Sequence, residues 1–191
     1  MAKPEIEVKI SVISVASARK RIRDAGFHVH VPRVFEVNIL WDTADLRLRT
    51  QGKLVRLRHA GSHSTLTFKG RSADTRHKVR EEVETRVENL HALERVFQEI
   101  EMKPVFRYEK YRTEFSVDQA PGVVTLDETP IGVFLEIEGP ARWIDRTAKQ
   151  LGFSPDDYIT ASYGALYLQY CSEHGVQPSD MVFREKAVLK R

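Results

Sequence analysis

Cysteine is almost absent from this chain, with Cys171 standing alone. A single thiol excludes an intrachain disulfide and a cysteine-based zinc site, and its ordinary place is a buried spectator. Long apolar runs are missing too. No segment approaches the roughly 20 residues needed to cross a bilayer, and Met1-Ala2-Lys3-Pro4-Glu5 has no apolar stretch of the secretory kind. These absences point to the cytoplasm and away from a membrane. An excess of one charge is also lacking: 30 basic side chains stand against 27 acidic ones, a formal net charge of +3. Binding nucleic acid by bulk charge is therefore not expected. What is present is enough apolar material, 41% of 191 residues, for the core of one domain. Charged residues make up 30%, above the usual share, so their placement matters.

The chain reads as short strands with a few helices between them. Glu5 to Val12 alternates charged and apolar, the period of a strand. Ser14 to Gly26 reads as a helix that Gly26 ends. Phe35 to Trp41, Lys53 to His59 and Ser64 to Lys69 are strand-like, with a turn at Asp42-Thr43-Ala44-Asp45. Gly70 to His77 is polar and reads as a mobile loop. Val79 to Val87 is another strand. Asn89 caps a helix to about Met102, with Leu90, Leu93, Val96, Phe97 and Ile100 as its apolar stripe. Arg107 to Val117 is a long strand, and Gly122–Asp127 and Gly132–Glu138 flank a hairpin loop. Pro140 opens a helix to Leu151, and Thr160 caps a last helix reaching about His174. Ala25-Gly26-Phe27 and Leu151-Gly152-Phe153 hint at two related halves. The architecture implied is α+β: about eight strands in a curved antiparallel sheet or barrel, with three or four helices outside.

The polar faces of these strands carry the functional signal. On ordinary half-buried strands they mix Ser, Thr, Gln and charges; here they are nearly pure charge. Side chains two apart point the same way. One face therefore holds Glu5, Glu7 and Lys9, and others hold Arg56 and Arg58, then Thr67 and Lys69. Arg80, Glu82, Glu84 and Arg86 follow, then Lys110, Arg112 and Glu114, and finally Glu136 and Glu138. Like charges on one face sit roughly 7 Å apart. In water their repulsion is well below about 1 kcal/mol, and in a confined space it is several times larger. If these faces turn inward, the carboxylate pairs call for hard divalent cations. The Arg and Lys pairs call for phosphate. The bland alternative is a solvated sheet face laced with salt bridges. The histidines form no convincing metal set, and Tyr158, Tyr167 and Tyr170 read as packing.

Several segments together resemble the CYTH superfamily, the triphosphate tunnel metalloenzymes. Glu5-Ile6-Glu7-Val8-Lys9 resembles the family's ExExK strand. Trp41-Asp42-Thr43 through Leu46, Leu48, Gly52, Leu54 and Arg56-Leu57-Arg58 is similar to its next segment. Thr67-Phe68-Lys69-Gly70, Arg80-Glu81-Glu82-Val83-Glu84 and Lys110-Tyr111-Arg112 follow in order. Then come Leu126-Asp127 to Glu136-Ile137-Glu138, and Ser162-Tyr163 with Leu166. The resemblance spans roughly residues 5 to 170 and is nearest the bacterial branch labelled class IV adenylate cyclase, or CyaB-like. It implies an eight-stranded antiparallel barrel with the charges inside. The chain itself reads as one domain over residues 1–175 followed by a basic tail, 176–191.

By that resemblance Glu5, Glu7, Glu136 and Glu138 are metal ligands for Mg²⁺ or Mn²⁺, with Glu84 and Asp127 as supplements. Lys9, Arg56, Arg58, Lys69, Arg80, Lys110 and Arg112 grip phosphate. Lys9, with Glu5 and Glu7 behind it, orients or deprotonates the attacking group. The substrate implied is a small-molecule triphosphate: ATP, thiamine triphosphate or inorganic triphosphate. Trp41-Asp42-Thr43-Ala44-Asp45 and Lys53-Leu54-Val55-Arg56 depart from the segment associated with cyclases, so hydrolysis of a triphosphate is the expected reaction. Cyclisation of ATP is the alternative, and a polyphosphate- or nucleotide-binding module without turnover is the non-enzyme alternative. Oligomeric state, monomer or homodimer, is left open.

Overall fold

The structure, a computed structural model, describes residues 3–73 and 76–183. Eight strands form one closed antiparallel barrel: β1 (Lys3–Val12), β2 (His28–Thr43), β3 (Leu54–Ala60), β4 (His63–Lys69), β5 (Lys78–Val87), β6 (Met102–Ser116), β7 (Val123–Thr129) and β8 (Gly132–Glu138). Around the barrel the order is β1-β5-β4-β3-β2-β6-β7-β8, with β8 closing onto β1. Outside it lie α1 (Val15–Asp24), α3 (Leu90–Glu99), α4 (Ala141–Gln150) and α5 (Tyr163–His174), with the single turn α2 (Arg47–Thr50) between β2 and β3. Among the described residues no helix is long and apolar enough to cross a membrane.

The barrel is inverted relative to a common β-domain. Val8, Ile10, Val124, Leu126, Leu135 and Ile137 point outward and are buried under α1 and α4, against Ala18, Ile22, Trp143, Ile144, Ala148 and Leu151. A second cluster joins Tyr108 and Phe134 to Tyr163, Tyr167 and Cys171 of α5. A third places Phe97 of α3 on Trp41 and Leu57. The apolar core under α1, α3 and α4 is thus a shell between strands and helices, whereas Tyr108 and Phe134, in phase with Lys110 and Glu136, pack against α5 from the inner face, and the other alternate, charged side chains stand inside the barrel.

α1 and α4 end in the same way. Gly26 and Gly152 both have φ +83, a left-handed conformation that glycine adopts without penalty. The amides of Phe27 and Phe153 then reach back to the carbonyls of Ile22 and Ala148. The two ends also hold each other. Arg21 donates to the Leu151 carbonyl at 3.0 Å, and Gln150 donates to the Ala25 carbonyl at 2.8 Å.

Several boundaries differ from those read in the sequence. The last helix is capped by Ser162, whose hydroxyl accepts from the Ala165 amide, and not by Thr160. Ile159 exchanges two backbone hydrogen bonds with Lys9, at 3.0 and 2.8 Å, so the chain is still extended there and cannot yet coil. β2 begins at His28, well before Phe35. Pro32 breaks the alternation, yet it lies where the β2–β6 register shifts, and irregularities of that kind tolerate proline. α3 ends at Glu99 because Glu101 takes φ 62 and β6 starts at Met102. In its stripe Val96 and Ile100 remain exposed. Residues 176–183 return to the barrel, where Met181 exchanges backbone bonds with Arg107 and Glu109. Of the tail read as residues 176–191, the part from 184 to 191 lies outside the described residues, as do 74 and 75 of the polar loop.

Gly122 is a point of close approach between barrel and helix. A methyl group there would collide with the Glu138 carbonyl oxygen and the Trp143 ring. Gly122→Ala is expected to destabilise the protein by about 1–3 kcal/mol through overpacking, seen as a lower urea midpoint at unchanged slope. An unchanged midpoint would show that α4 can move off the barrel freely.

Candidate functional site

The lumen is a cavity of about 340 Å³. Its lining carries Lys9, Arg56, Arg58, Lys69, Lys78, Arg80, Lys110 and Arg112, and against these Glu5, Glu7, Glu82, Glu84, Glu114, Glu136 and Glu138. Eight cations therefore face seven carboxylates in one confined space. Backbone pairing sets their order: Glu7 stands opposite Lys78 on β5 and opposite Glu138 on β8, and Lys9 stands opposite Glu136.

Most of these charges are paired. Lys69 Nζ lies 2.6 Å from Glu5 Oε1, and Arg80 donates to Glu5 Oε2 at 3.0 Å. Lys78 Nζ is 2.6 Å from Glu7 Oε1, and Lys9 Nζ is 2.9 Å from Glu136. Behind the basic wall sits Asp127, with no exposed surface. It accepts from Lys110 at 2.8 Å, from Arg112 at 2.7 and 2.6 Å, and from the Tyr163 hydroxyl at 2.7 Å. Arg112 also binds Glu136. Arg56 reaches Thr67 at 3.2 Å and Tyr108 at 3.4 Å, and the Thr67 hydroxyl in turn donates to Glu84 at 2.8 Å. Two lining residues keep a buried polar atom with no hydrogen-bond partner among the described residues, Arg56 Nε and Thr125 Oγ1. Such atoms ordinarily meet a ligand or water.

The two sides of the lumen differ in how fully their charges are neutralised. Burial opposes ionisation of Glu7, but Lys9, Lys78 and Lys69 outweigh it and hold this carboxyl well below the usual range. For Glu136 burial is likewise overcome, by Lys9, Arg112 and Lys110. Burial disfavours the Lys9 ammonium, yet Glu136 and Glu7 raise its pKa above the usual value, so it stays protonated. Lys78 goes the other way: burial, then repulsion from Lys9, takes it down to about 8 despite Glu7. At the mouth, burial and the charges of Glu5 and Glu7 push Glu138 up to about 7. Glu138 makes no ion pair among the described residues, so this end holds more carboxylate than cation.

That excess bears on metal. Among the described residues no three His, Cys, Asp or Glu side chains are already clustered to hold an ion. Glu5, Glu7 and Glu136 are engaged by lysine and arginine instead. The donor set still fits a hard divalent cation, since all are carboxylate oxygens facing one lumen and Glu138 opposite Glu7 lacks a counter-charge.

The structure thus gathers almost every expected site residue into one cavity lining: Glu5, Glu7, Lys9, Arg56, Arg58, Lys69, Arg80, Glu84, Lys110, Arg112, Glu136 and Glu138. Asp127 lies behind that lining. Arg86, on the face of Arg80, is exposed beyond the cavity. None of the histidines lines it; His77 binds Asp145 at 2.8 Å and His59 binds Ser64 at 3.0 Å. Lys78 and Glu36 escaped the sequence reading. Lys78 is in phase with Arg80 and opens β5, one residue before the strand that the sequence marks out from Val79. Glu36 alternates with Phe35 and Val37 on β2, so its inward place is carried by the same period of two.

The matching family model, described as the CYTH domain, spans residues 3–163. The chain belongs to the CYTH domain family. A protein of Methanocaldococcus jannaschii named "putative adenylate cyclase" is 24% identical to this CYTH chain over 176 residues, 83% of this chain and 95% of the relative. A Vibrio parahaemolyticus structure with the same designation superposes at TM-score 0.75 with 21% identity, covering 90% and 99% of the two chains. A Hippeastrum structure described as a "putative adenylyl cyclase" with a dominant triphosphatase activity superposes at 0.65 with 18% identity, covering 91% and 97%. At these identities the structural likenesses establish the shared tunnel fold.

Glu36 offers a test of the buried charge network. It is 3% exposed, with Lys110 at 3.6 Å and Arg58 at 3.8 Å. Burial opposes its ionisation, but Lys110, Arg112, Arg58 and Arg56 take its pKa down to about 2. A carboxyl lowered in the folded state stabilises above its unfolded pKa, near 4.3. That contribution disappears as pH falls through the folded value. Glu36→Gln is expected to cost on the order of 3 kcal/mol at pH 7, with the deficit shrinking between about pH 4.5 and pH 2 in urea titrations. A pH-independent deficit would mean that packing, not charge, was lost.

Proposed function

We propose that this tunnel binds a triphosphate together with a divalent metal, Mg²⁺ or Mn²⁺, and cleaves a P–O–P bond by hydrolysis. The observation that carries the reading is the lumen itself, where eight cations and seven carboxylates share one cavity of about 340 Å³. A pure phosphate binder has no use for the converging glutamates, and a pure metal site has no use for the arginines.

In this reading Arg56, Arg58, Lys69, Arg80, Lys110 and Arg112 grip the phosphate chain. Lys9 joins them as a fixed positive charge, because a lysine held protonated by Glu136 and Glu7 is a poor proton acceptor. Glu5, Glu7, Glu136 and Glu138 would hold the metal, with Glu84 nearby. A bound divalent ion supplies charge neutralisation on the phosphate oxygens. We assign Asp127 to anchoring Lys110 and Arg112, since its oxygens are already taken by them and by Tyr163. A water oxygen attacks phosphorus, the bridging P–O bond breaks, the bond's electron pair leaves with the departing phosphate, and the proton shed by the water goes to a phosphate oxygen and from there to solvent. The basic wall stabilises the charge as it shifts.

Cyclisation of ATP remains the second reading, supported by the names of the relatives from Methanocaldococcus and Vibrio. Hydrolysis is favoured by the lining. Its two aromatic rings are occupied: Tyr163 packs on Phe134 and Tyr108, and Tyr108 stacks on Phe106. Both rings are also buried, which leaves little surface on which a purine would stack, and a 3′-hydroxyl misplaced by about 1 Å can lose ~100-fold in rate.

Incubation with Mg²⁺ or Mn²⁺ and either inorganic triphosphate or labelled ATP should yield phosphate from inorganic triphosphate at least as fast as cyclic AMP from ATP. EDTA should abolish turnover. Cyclic AMP as the main product, with inorganic triphosphate untouched, would favour the cyclase reading, and full turnover in metal-free buffer would remove the metal. Arg58→Ala should weaken triphosphate binding roughly 10- to 100-fold, as expected for a lost bond to a charged group, while the protein stays folded. Unchanged affinity would take Arg58 out of the phosphate grip.

A further inference from the structure

We propose that Lys78 is an internal cation that keeps Glu7 from taking up a divalent ion on its own, so that metal enters this tunnel with its triphosphate. The inference rests on the metal–triphosphate reading above and adds a role for a residue outside every motif noted in the sequence. Lys78 opens β5, stands opposite Glu7 across the β1–β5 ladder, and is 6% exposed. Its Nζ lies 2.6 Å from Glu7 Oε1. The same oxygen has Lys9 Nζ at 3.5 Å and Arg80 Nη2 at 3.8 Å. From the other side β8 sets Glu138 opposite Glu7. Glu7 therefore sits in a row between an ammonium and a carboxylate.

A divalent ion bound to Glu7 Oε1 at about 2.1 Å would stand within roughly 5 Å of the Lys78 ammonium in this arrangement, by adding the two distances. Buried at that spacing, a doubly and a singly charged cation repel strongly. The whole lumen adds to the barrier. Glu5, Glu7 and Glu136 are already engaged by lysine and arginine, so a lone divalent ion meets Glu138 without a counter-charge but must displace a cation from each of the other three. A triphosphate changes both terms. It supplies anionic oxygens to which Lys78 can turn, which frees Glu7 to face Glu138, and its charge offsets the ion.

The test is a Mn²⁺ titration of the full chain at neutral pH with no phosphate present, reading free Mn²⁺ by electron paramagnetic resonance. Wild type should bind weakly. Lys78→Met should bind at least about tenfold tighter, and Lys78→Gln should do the same, keeping a polar side chain if the methionine variant folds poorly. Lys78→Arg, which keeps the cation, should stay within about twofold of wild type, which a merely structural role for the side chain would not produce. Equal Mn²⁺ affinity in wild type and both neutral variants overturns the proposal while leaving metal-dependent hydrolysis intact. Hydrolysis of triphosphate by wild type in metal-free buffer overturns the reading beneath it, and the proposal falls for that separate reason.

Discussion

An ionised side chain removed from water must find an opposite charge or several hydrogen bonds, and the interior of this barrel is built around that requirement. Glu5, Glu7 and Glu136 can point into one lumen only because Lys69, Arg80, Lys78, Lys9 and Arg112 point there as well. Buried pairs of this kind contribute little net stability compared with apolar packing of the same volume, and breaking one is costly. The lumen is thus a functional device that the rest of the molecule must hold together by other means.

Those means lie outside the barrel. Every strand that turns a charge inward turns an apolar residue outward, so the helices are needed as a cover for the outer face. α1 and α4 seal β1, β7 and β8 through Ile22, Trp143 and Ile144, and their ends are locked to each other by Arg21 and Gln150. α5 instead packs against Tyr108 and Phe134, which share the inward faces of Lys110 and Glu136, and through Tyr163 it reaches the lumen wall. Ring closure also leaves no free sheet edge to invite pairing with another chain.

Within the lumen the charges are graded. Lys110 and Arg112 are fixed from behind by Asp127 and flanked by Glu36, which presents a pre-ordered basic wall. On the β1–β8 side, carboxylates outnumber their partners toward the mouth, where Glu138 is pushed up to about 7 by burial and by Glu5 and Glu7. A rigid basic wall and an under-neutralised acidic rim suit a ligand that carries anion and metal together.

Alternation with a period of two is a local property, so the chain by itself determined which residues are strands and which faces are charged. Glu5-Ile6-Glu7-Val8-Lys9 announces itself without any knowledge of its neighbours. Capping is equally local, and Ser14 and Asn89 do what their position implies. The two tripeptides Ala25-Gly26-Phe27 and Leu151-Gly152-Phe153 are local as well, and they form matching helix ends. Pairing is not local. Whether a charged face meets water or a lumen depends on closure of β8 onto β1, which no segment encodes alone. Thr160 lost its cap role to Ser162 because a distant strand holds Ile159 extended. Lys78 became a partner of Glu7 through register across two strands far apart in the chain, and Asp127 an anchor for Arg112 through the ladder between the consecutive strands β6 and β7. Sequence determined the alphabet of charges, and tertiary structure decided which charge stands beside which, because Coulomb energy depends on distance in space and on burial, not on separation along the chain.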